Sequence, residues 1–185
     1  MLVLASRSPQ RRAILAQLGI EFEAVPVDVD ELTAGDPIQV ARDNALAKAL
    51  AGARLRPGAT VIGVDTIVVC DDAILGKPPS AEVAAAMLRR LSGRTHEVIS
   101  GLAMIFSGNP QVVHEVTKVT FREVPEDLLQ RYVQTGEWSG RAGGYAIQEQ
   151  GAALVRCISG DYLNVVGLPA SRMLDLDLRL MLSQS

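Results

Sequence analysis

Short apolar runs alternate with helix-start signals along this chain, and that alternation leaves it few architectures to fold into. Leu2 to Ala5 is an apolar run that reads as a buried strand. Ser8-Pro9 follows, a capping residue and then a proline at the first helical position, and Ile14, Leu15 and Leu18 give that helix one apolar stripe before Gly19 stops it. Glu21 to Val29 alternates in part and predicts a strand. Asp36-Pro37 opens a second helix whose apolar positions include Val40, Ala41, Leu46, Ala49 and Leu50. Thr60 to Cys70, dense in Val and Ile, is the most strand-like segment, and Asp71-Asp72 marks the turn after it. Ser80 caps a third helix with Val83, Ala84, Met87, Leu88 and Leu91 on its stripe, and Arg89 and Arg90 near its C-terminal end, where the helix dipole favours cations. Thr95 to Phe106 and Gln111 to Phe121 flank Ser107-Gly108-Asn109-Pro110 as a hairpin. A short helix over Pro125 to Gln134, a strand over Ala152 to Ile158 and a helix from about Pro169 to Leu182 complete the reading. Crossovers and a hairpin together predict an α/β fold with a mixed sheet.

The 185 residues are enough for one domain, or for two small lobes sharing a core. They are 48% hydrophobic, which excludes a disordered chain, and with three Phe, three Tyr and one Trp the core must be mainly aliphatic. Eighteen Lys and Arg against 21 Asp and Glu leave a formal charge of −3, which argues against non-specific binding to nucleic acid. No apolar run reaches the ~20 residues a membrane span needs, and Met1 to Arg7 lacks the basic start of a secretory signal. No membrane association is therefore expected. Cys70 and Cys157 are the only cysteines and are expected as reduced cytosolic thiols, so the expected location is cytoplasmic. His96 and His114 are isolated, which excludes a tetrahedral zinc site of the usual ligands.

Four features carry chemistry. Asp65 interrupts Val61-Ile62-Gly63-Val64-Asp65-Thr66-Ile67-Val68-Val69, and a carboxylate in such a run is costly to bury unless it is paired, hydrogen-bonded or bound to metal. It reads either as a strand-end Asp that accepts backbone hydrogen bonds, or as a metal ligand or general base on a rigid strand. Leu4-Ala5-Ser6-Arg7-Ser8-Pro9-Gln10-Arg11-Arg12 runs from a strand into a helix start with hydroxyls and arginines at the junction. It is either ordinary capping with a solvated basic turn or an anion site without the glycines of a Walker loop. Lys48 and Lys77 sit in apolar surroundings, where a lone lysine usually snorkels, and Asp28, Asp30 and Glu31 precede the second helix as a solvated acidic loop or as ligands of a hard cation. Gly140 to Tyr145 is glycine-rich, and Gln148 behind it carries an amide able to read a pyrimidine edge. Together these groups suit a small polyanion with a metal, such as a nucleotide, better than a long nucleic acid.

The same residues carry a family resemblance. Leu4 to Arg11, Gly63-Val64-Asp65-Thr66, Leu75-Gly76-Lys77-Pro78, Leu91 to His96, Ala142 to Gln148, Gly160-Asp161-Tyr162 and Val165 to Pro169 occur in an order that resembles the Maf family of nucleoside triphosphate pyrophosphatases over nearly the whole chain. The resemblance implies a single Maf-like domain over residues 1–185, with a curved mixed β-sheet flanked by helices and two lobes around a cleft (Maf/ITPase-like), usually in a homodimer. It implies hydrolysis of a nucleoside triphosphate to the monophosphate and pyrophosphate with Mg²⁺ or Mn²⁺, including house-cleaning of non-canonical nucleotides. It assigns Asp65 as the proton acceptor, Glu31 as the other acidic site residue, and Ser6, Arg11, Lys48 and Lys77 as the phosphate-binding set, and Glu31 and Asp65 are the expected ligands of the metal. Gln10, Thr66 and Gln148 fall at positions tied to substrate preference, and Tyr145-Ala146-Ile147-Gln148 looks like the branch acting on dTTP and UTP rather than on 7-methyl-GTP. That branch commonly has two adjacent arginines after the Ser-Pro, where this chain has Gln10 and Arg11. Arg12 lies about 100° further round the helix and is no obvious substitute. A non-catalytic nucleotide-binding regulator of cell division is the competing expectation; the retained Asp65, Glu31 and lysines speak against it, because binding alone needs no general base.

Overall fold

The computed structural model describes residues 1–181. Seven strands form one mixed sheet: β1 (Leu2–Leu4), β2 (Phe22–Ala24), β3 (Thr60–Cys70), β4 (Ala73–Leu75), β5 (Thr95–Phe106), β6 (Asn109–Phe121) and β7 (Val155–Ser159). Their order is β2-β1-β3-β5-β6-β7, with β4 hydrogen-bonded to β3. β1 pairs in parallel with both β2 and β3, whereas β3–β4 and β6–β7 are antiparallel. Among the described residues six α-helices accompany them: α1 (Pro9–Gln17), α2 (Pro37–Leu55), α3 (Ala81–Leu91), α4 (Glu126–Gln134), α5 (Tyr162–Val166) and α6 (Ala170–Leu176). Ser8, Asp36 and Ser80 cap α1, α2 and α3 as expected, each side chain accepting a backbone N–H of the first turn. Among the described residues no helix is long and apolar enough to cross a membrane.

The chain divides into two compact units. The first takes Met1–Thr66, Ser100–Glu115 and the chain from Gly167; the second takes Ile67–Ile99 and Val116–Val166.

In the first unit, α2 lies unusually close to the sheet, and small residues make this possible. A Cβ on Gly63 of β3 would fall 2.3 Å from the Ala45 carbonyl and 2.5 Å from the Ala49 nitrogen, and one on Gly101 of β5 would fall 2.1 Å from the Ala41 carbonyl. Gly52 of α2 meets Ala5 and Val61 in the same way. The helix therefore seats its Ala41, Ala45, Ala49 and Gly52 face rather than its leucines, and Leu50, expected on the buried stripe, is 40% exposed. Burial volume misled the sequence reading here, because close backbone approach selects the smallest side chains. The strand expected over Glu21 to Val29 shrinks to three residues: β1, its hydrogen-bonding partner, is itself three residues long, and Pro26 has no N–H to extend the ladder.

The second unit has its own core, built around Val68, Leu88, Leu91, Phe121, Leu129, Tyr132 and Leu154. Asp71 and Asp72, both at positive φ, turn β3 directly into β4, a short strand absent from the sequence reading, as is α5. The strand expected over Ala152 to Ile158 starts later, because residues 150–154 form a 3-10 turn. The last expected helix breaks after Leu176 into a 3-10 turn over Leu178–Met181, and its end at Leu182 lies outside the described residues.

His96 is buried in this unit, its Nε2 2.8 Å from the Tyr145 hydroxyl and its ring edge-on to Phe121. Burial lowers its pKa from 6.5 to about 4. Below pH 6.5 the unfolded chain takes up a proton that the folded chain refuses. Stability is therefore complete above pH 6.5 and falls as the pH drops towards 4, by about 3 kcal/mol in all. Urea unfolding at pH 7 and pH 4.5 should show this loss, and His96→Phe should remove most of the difference. An equal acid loss in the variant would assign the effect to other groups.

Candidate functional site

Two hydrogen-bonded groups in the first unit gather most of the sequence-selected residues. The first stands where β1 runs into α1. Arg11 emerges from the first turn of α1 and turns its guanidinium back over the junction. Its Nη1 donates to Ser6 Oγ at 3.1 Å, its Nε to the Gly167 carbonyl at 2.8 Å and its Nη2 to Thr66 Oγ1 at 3.3 Å. Ser6 Oγ also accepts the Ser8 backbone N–H at 3.2 Å. Thr66 Oγ1 lies 2.9 Å from Ser100 Oγ, so its hydroxyl is engaged on several sides. Gln10 is half-buried beside the cap and accepts a hydrogen bond from Ser8 Oγ at 3.1 Å. Arg11 is thus a fixed cation at a helix start, with a hydroxyl in its grasp, which is the equipment for holding an anion. Burial lowers its pKa, opposed by the negative charges of Asp65 and Glu31, which places this cation in the field of the second group.

That second group is centred on Asp65. β3 carries it on the face against which α2 is seated, and it is 6% exposed. One carboxylate oxygen accepts from Lys48 Nζ at 2.6 Å and the other from Asn44 Nδ2 at 2.9 Å. Lys48 is buried at 8% exposure and does not snorkel as a lone helical lysine would. Its ammonium also meets the Glu31 carboxylate at 2.7 Å, so two carboxylates converge on one cation. The Glu31 side chain is 44% exposed, so the group runs from a buried acid to a solvent-facing one. Asp28 and Asp30, its acidic neighbours, are exposed.

Lys77, after β4, and Gln148, after the Tyr145 segment, belong to the second unit, and both are exposed there. Gly143, at φ 68°, packs its missing side chain against Val68, so the glycine-rich stretch before Tyr145 is required by close packing within its own unit. Sequence reasoning missed Asn44, Ser100 and the Gly167 carbonyl. Asn44 had a legible signal: it lies four residues before Lys48, on the same helical face, and both polar residues share a stripe otherwise made of alanines, a valine and a glycine. Ser100 had none, and Gly167 lay in the Val165 to Pro169 stretch that carries the resemblance but with no role to read from it, since each joins the group through distant chain.

Asp65 and Glu31 already share a single cation within hydrogen-bonding distance, so their donor set fits a divalent ion that completes its shell with phosphate oxygens and water. Among the described residues no cluster of three or more His, Cys, Asp or Glu is gathered as a protein-only metal site.

A family model described as Maf-like protein matches residues 1–179. A protein of Nitratidesulfovibrio vulgaris named dTTP/UTP pyrophosphatase is 48% identical over 96% of this chain and 86% of its own length. One of Moorella thermoacetica with the same name is 49% identical over 91% of this chain and 89% of its own. A third, of Pyrococcus horikoshii, again of that name, is 44% identical over 95% of each. With a buried acid on β3, an arginine-bearing helix start after β1 and these relatives along nearly its full length, the chain belongs to the Maf-like protein family.

Proposed function

We propose that this protein hydrolyses nucleoside triphosphates of the dTTP and UTP class to the monophosphate and pyrophosphate. The observation that carries the reading is Asp65, an acid buried on a rigid strand whose two oxygens are held by Lys48 and Asn44. The names of relatives at 44 to 49% identity support the choice of reaction.

The phosphates bind against the helix start, where Arg11 is already fixed by Ser6, Thr66 and Gly167 and loses little freedom on binding. Asp65 accepts the proton of the attacking water, and Lys48 hands its hydrogen bonds between Asp65 and the charge building on the leaving pyrophosphate. Glu31 keeps the ammonium oriented from the solvent side. Mg²⁺ or Mn²⁺ would be held by Glu31 and Asp65, and when bound such an ion supplies charge neutralisation at the phosphates. Lys77 serves as a further phosphate cation and Gln148 as a reader of the base edge, with Gln10 the neutral departure that tunes preference. The protein acts as a cytoplasmic homodimer on free nucleotides, not on nucleic acid, and modified pyrimidine nucleotides fall within its range.

Malachite-green detection of phosphate, with and without added inorganic pyrophosphatase, tests the reaction over a panel of nucleotides. Signal only with the coupling enzyme supports cleavage between the α- and β-phosphates. Signal without it identifies a phosphatase, and none on any nucleotide favours a regulator that only binds.

The resemblance ties both Thr66 and Gln148 to substrate preference, but Thr66 holds Arg11 by its hydroxyl, so the two residues separate phosphate holding from base reading. Thr66→Val keeps the side-chain shape but removes the hydroxyl that supports Arg11, so KM should rise about tenfold on every nucleotide alike. Gln148→Ala should change the ratio of kcat/KM between dTTP and dCTP while sparing the phosphate contacts. If Thr66→Val alters base preference and Gln148→Ala does not, the two assignments are reversed.

A further inference from the structure

Asn44 has no assigned part in the chemistry above, yet it is a buried amide with all three of its hydrogen bonds made inside the first unit. It is 2% exposed, in the interior of α2. Its amide makes three hydrogen bonds. Nδ2 donates to Asp65 Oδ2 at 2.9 Å and to the Leu32 carbonyl at 2.9 Å, while Oδ1 accepts the Leu32 N–H at 2.7 Å. Leu32 follows Glu31 directly. One amide therefore grips both backbone groups of the residue beside one acid and also holds an oxygen of the other. Residues 25–34 carry no regular secondary structure, so no ladder fixes Glu31 in place.

We infer that Asn44 is the positioning residue of this site, setting the plane of the Asp65 carboxylate and clamping the Glu31 loop to it. The inference rests on the proposed role of Asp65. With Asn44 on Oδ2, the carboxylate cannot rotate about its terminal torsion, and Oδ1 is the oxygen presented to Lys48. Only an amide fits: a carboxylate would lack the donors and set a like charge against Asp65, and a hydroxyl cannot make three such bonds at once. Asn44 touches no substrate in this scheme, so its loss should act on turnover rather than on binding.

Asn44→Ala and Asn44→Asp separate its two arms. Alanine loses both; aspartate keeps an acceptor for the Leu32 N–H but loses the donor to Asp65. Pyrophosphate release per folded molecule, with the folded fraction taken from circular dichroism, should fall about 10- to 100-fold in kcat in both variants, with KM within about threefold of wild type. Amide hydrogen exchange of the 25–34 segment should accelerate at least about tenfold in Asn44→Ala and much less in Asn44→Asp. Should Asn44→Ala fail to fold, Asn44→Ser, with its shorter arm, carries the same two measurements. Turnover within twofold of wild type in both variants overturns the inference while leaving the Asp65 reading intact, and so does unchanged exchange in the alanine variant. A wild type that releases no pyrophosphate, or an Asp65→Asn that does, defeats the functional reading instead, and the exchange measurement still judges the clamp.

Discussion

Asp65→Asn is expected to lower kcat about 10³-fold while the protein remains folded. The substituted amide keeps the shape of the side chain and removes its basicity. Lys48, which would otherwise be left as an unpaired buried cation, keeps the Glu31 carboxylate at 2.7 Å, and that carboxylate is open to solvent. The usual penalty for breaking a buried ion pair is thereby softened, because one charge of the three is deleted and the remaining two still neutralise each other. Coupled pyrophosphate assays beside a thermal melt read both halves of the expectation. Near-wild-type turnover from the folded variant removes Asp65 from the chemistry, and with it the reaction proposed here.

Gly63→Ala should be, with Gly101→Ala, one of the two most damaging glycine-to-alanine changes in the first unit. The added carbon would lie 2.3 Å from a carbonyl oxygen and 2.5 Å from a nitrogen of α2, both backbone atoms that cannot rotate away. The helix must lift, which separates Ala45 and Ala49 from the sheet and draws Asn44 and Lys48 away from Asp65. Overpacking of this kind costs about 3 kcal/mol or more, which for a chain of this size lowers the melting temperature by roughly 6–12 °C. Gly101→Ala, at 2.1 Å from the Ala41 carbonyl, should behave alike. Gly76→Ala, with nothing within 4 Å of its added carbon, supplies the control and should melt with the wild type. Turnover should drop further than stability in Gly63→Ala, since the same displacement opens the ion pair. If Gly63→Ala and Gly76→Ala melt together, α2 is not seated on β3 as described.

Much of the fold was legible in local chemistry. Thr60–Cys70 carries its own β-branched density, Ser8, Asp36 and Ser80 each announce a helix with a side chain that satisfies a free N–H, and Asp71-Asp72 turns because aspartate tolerates positive φ. Elements that depend on a distant partner were misread. β2 took its length from the short β1 it pairs with, β7 lost its start to the 3-10 turn before it, and the buried face of α2 followed the glycines of β3 and β5 rather than its own leucines.

The candidate site divides along the same line. Asp65 could be found from sequence because a carboxylate inside an apolar strand is costly wherever that strand goes, and Ser6 and Arg11 because a strand running into a capped helix start is a local pattern. Their partners could not. Arg11 reaches Thr66 55 residues away and Gly167 156 residues away, and Asp65 meets Asn44 and Lys48 only because α2 descends onto two glycines. Sequence alone determined which groups carry unusual charge and where the capped helices α1, α2 and α3 begin, since both depend on neighbours a few bonds away. Tertiary structure alone decided that one lysine joins two acids and that one buried amide grips both a strand and a loop, because those distances are set by helix-on-sheet packing and not by the order of residues along the chain.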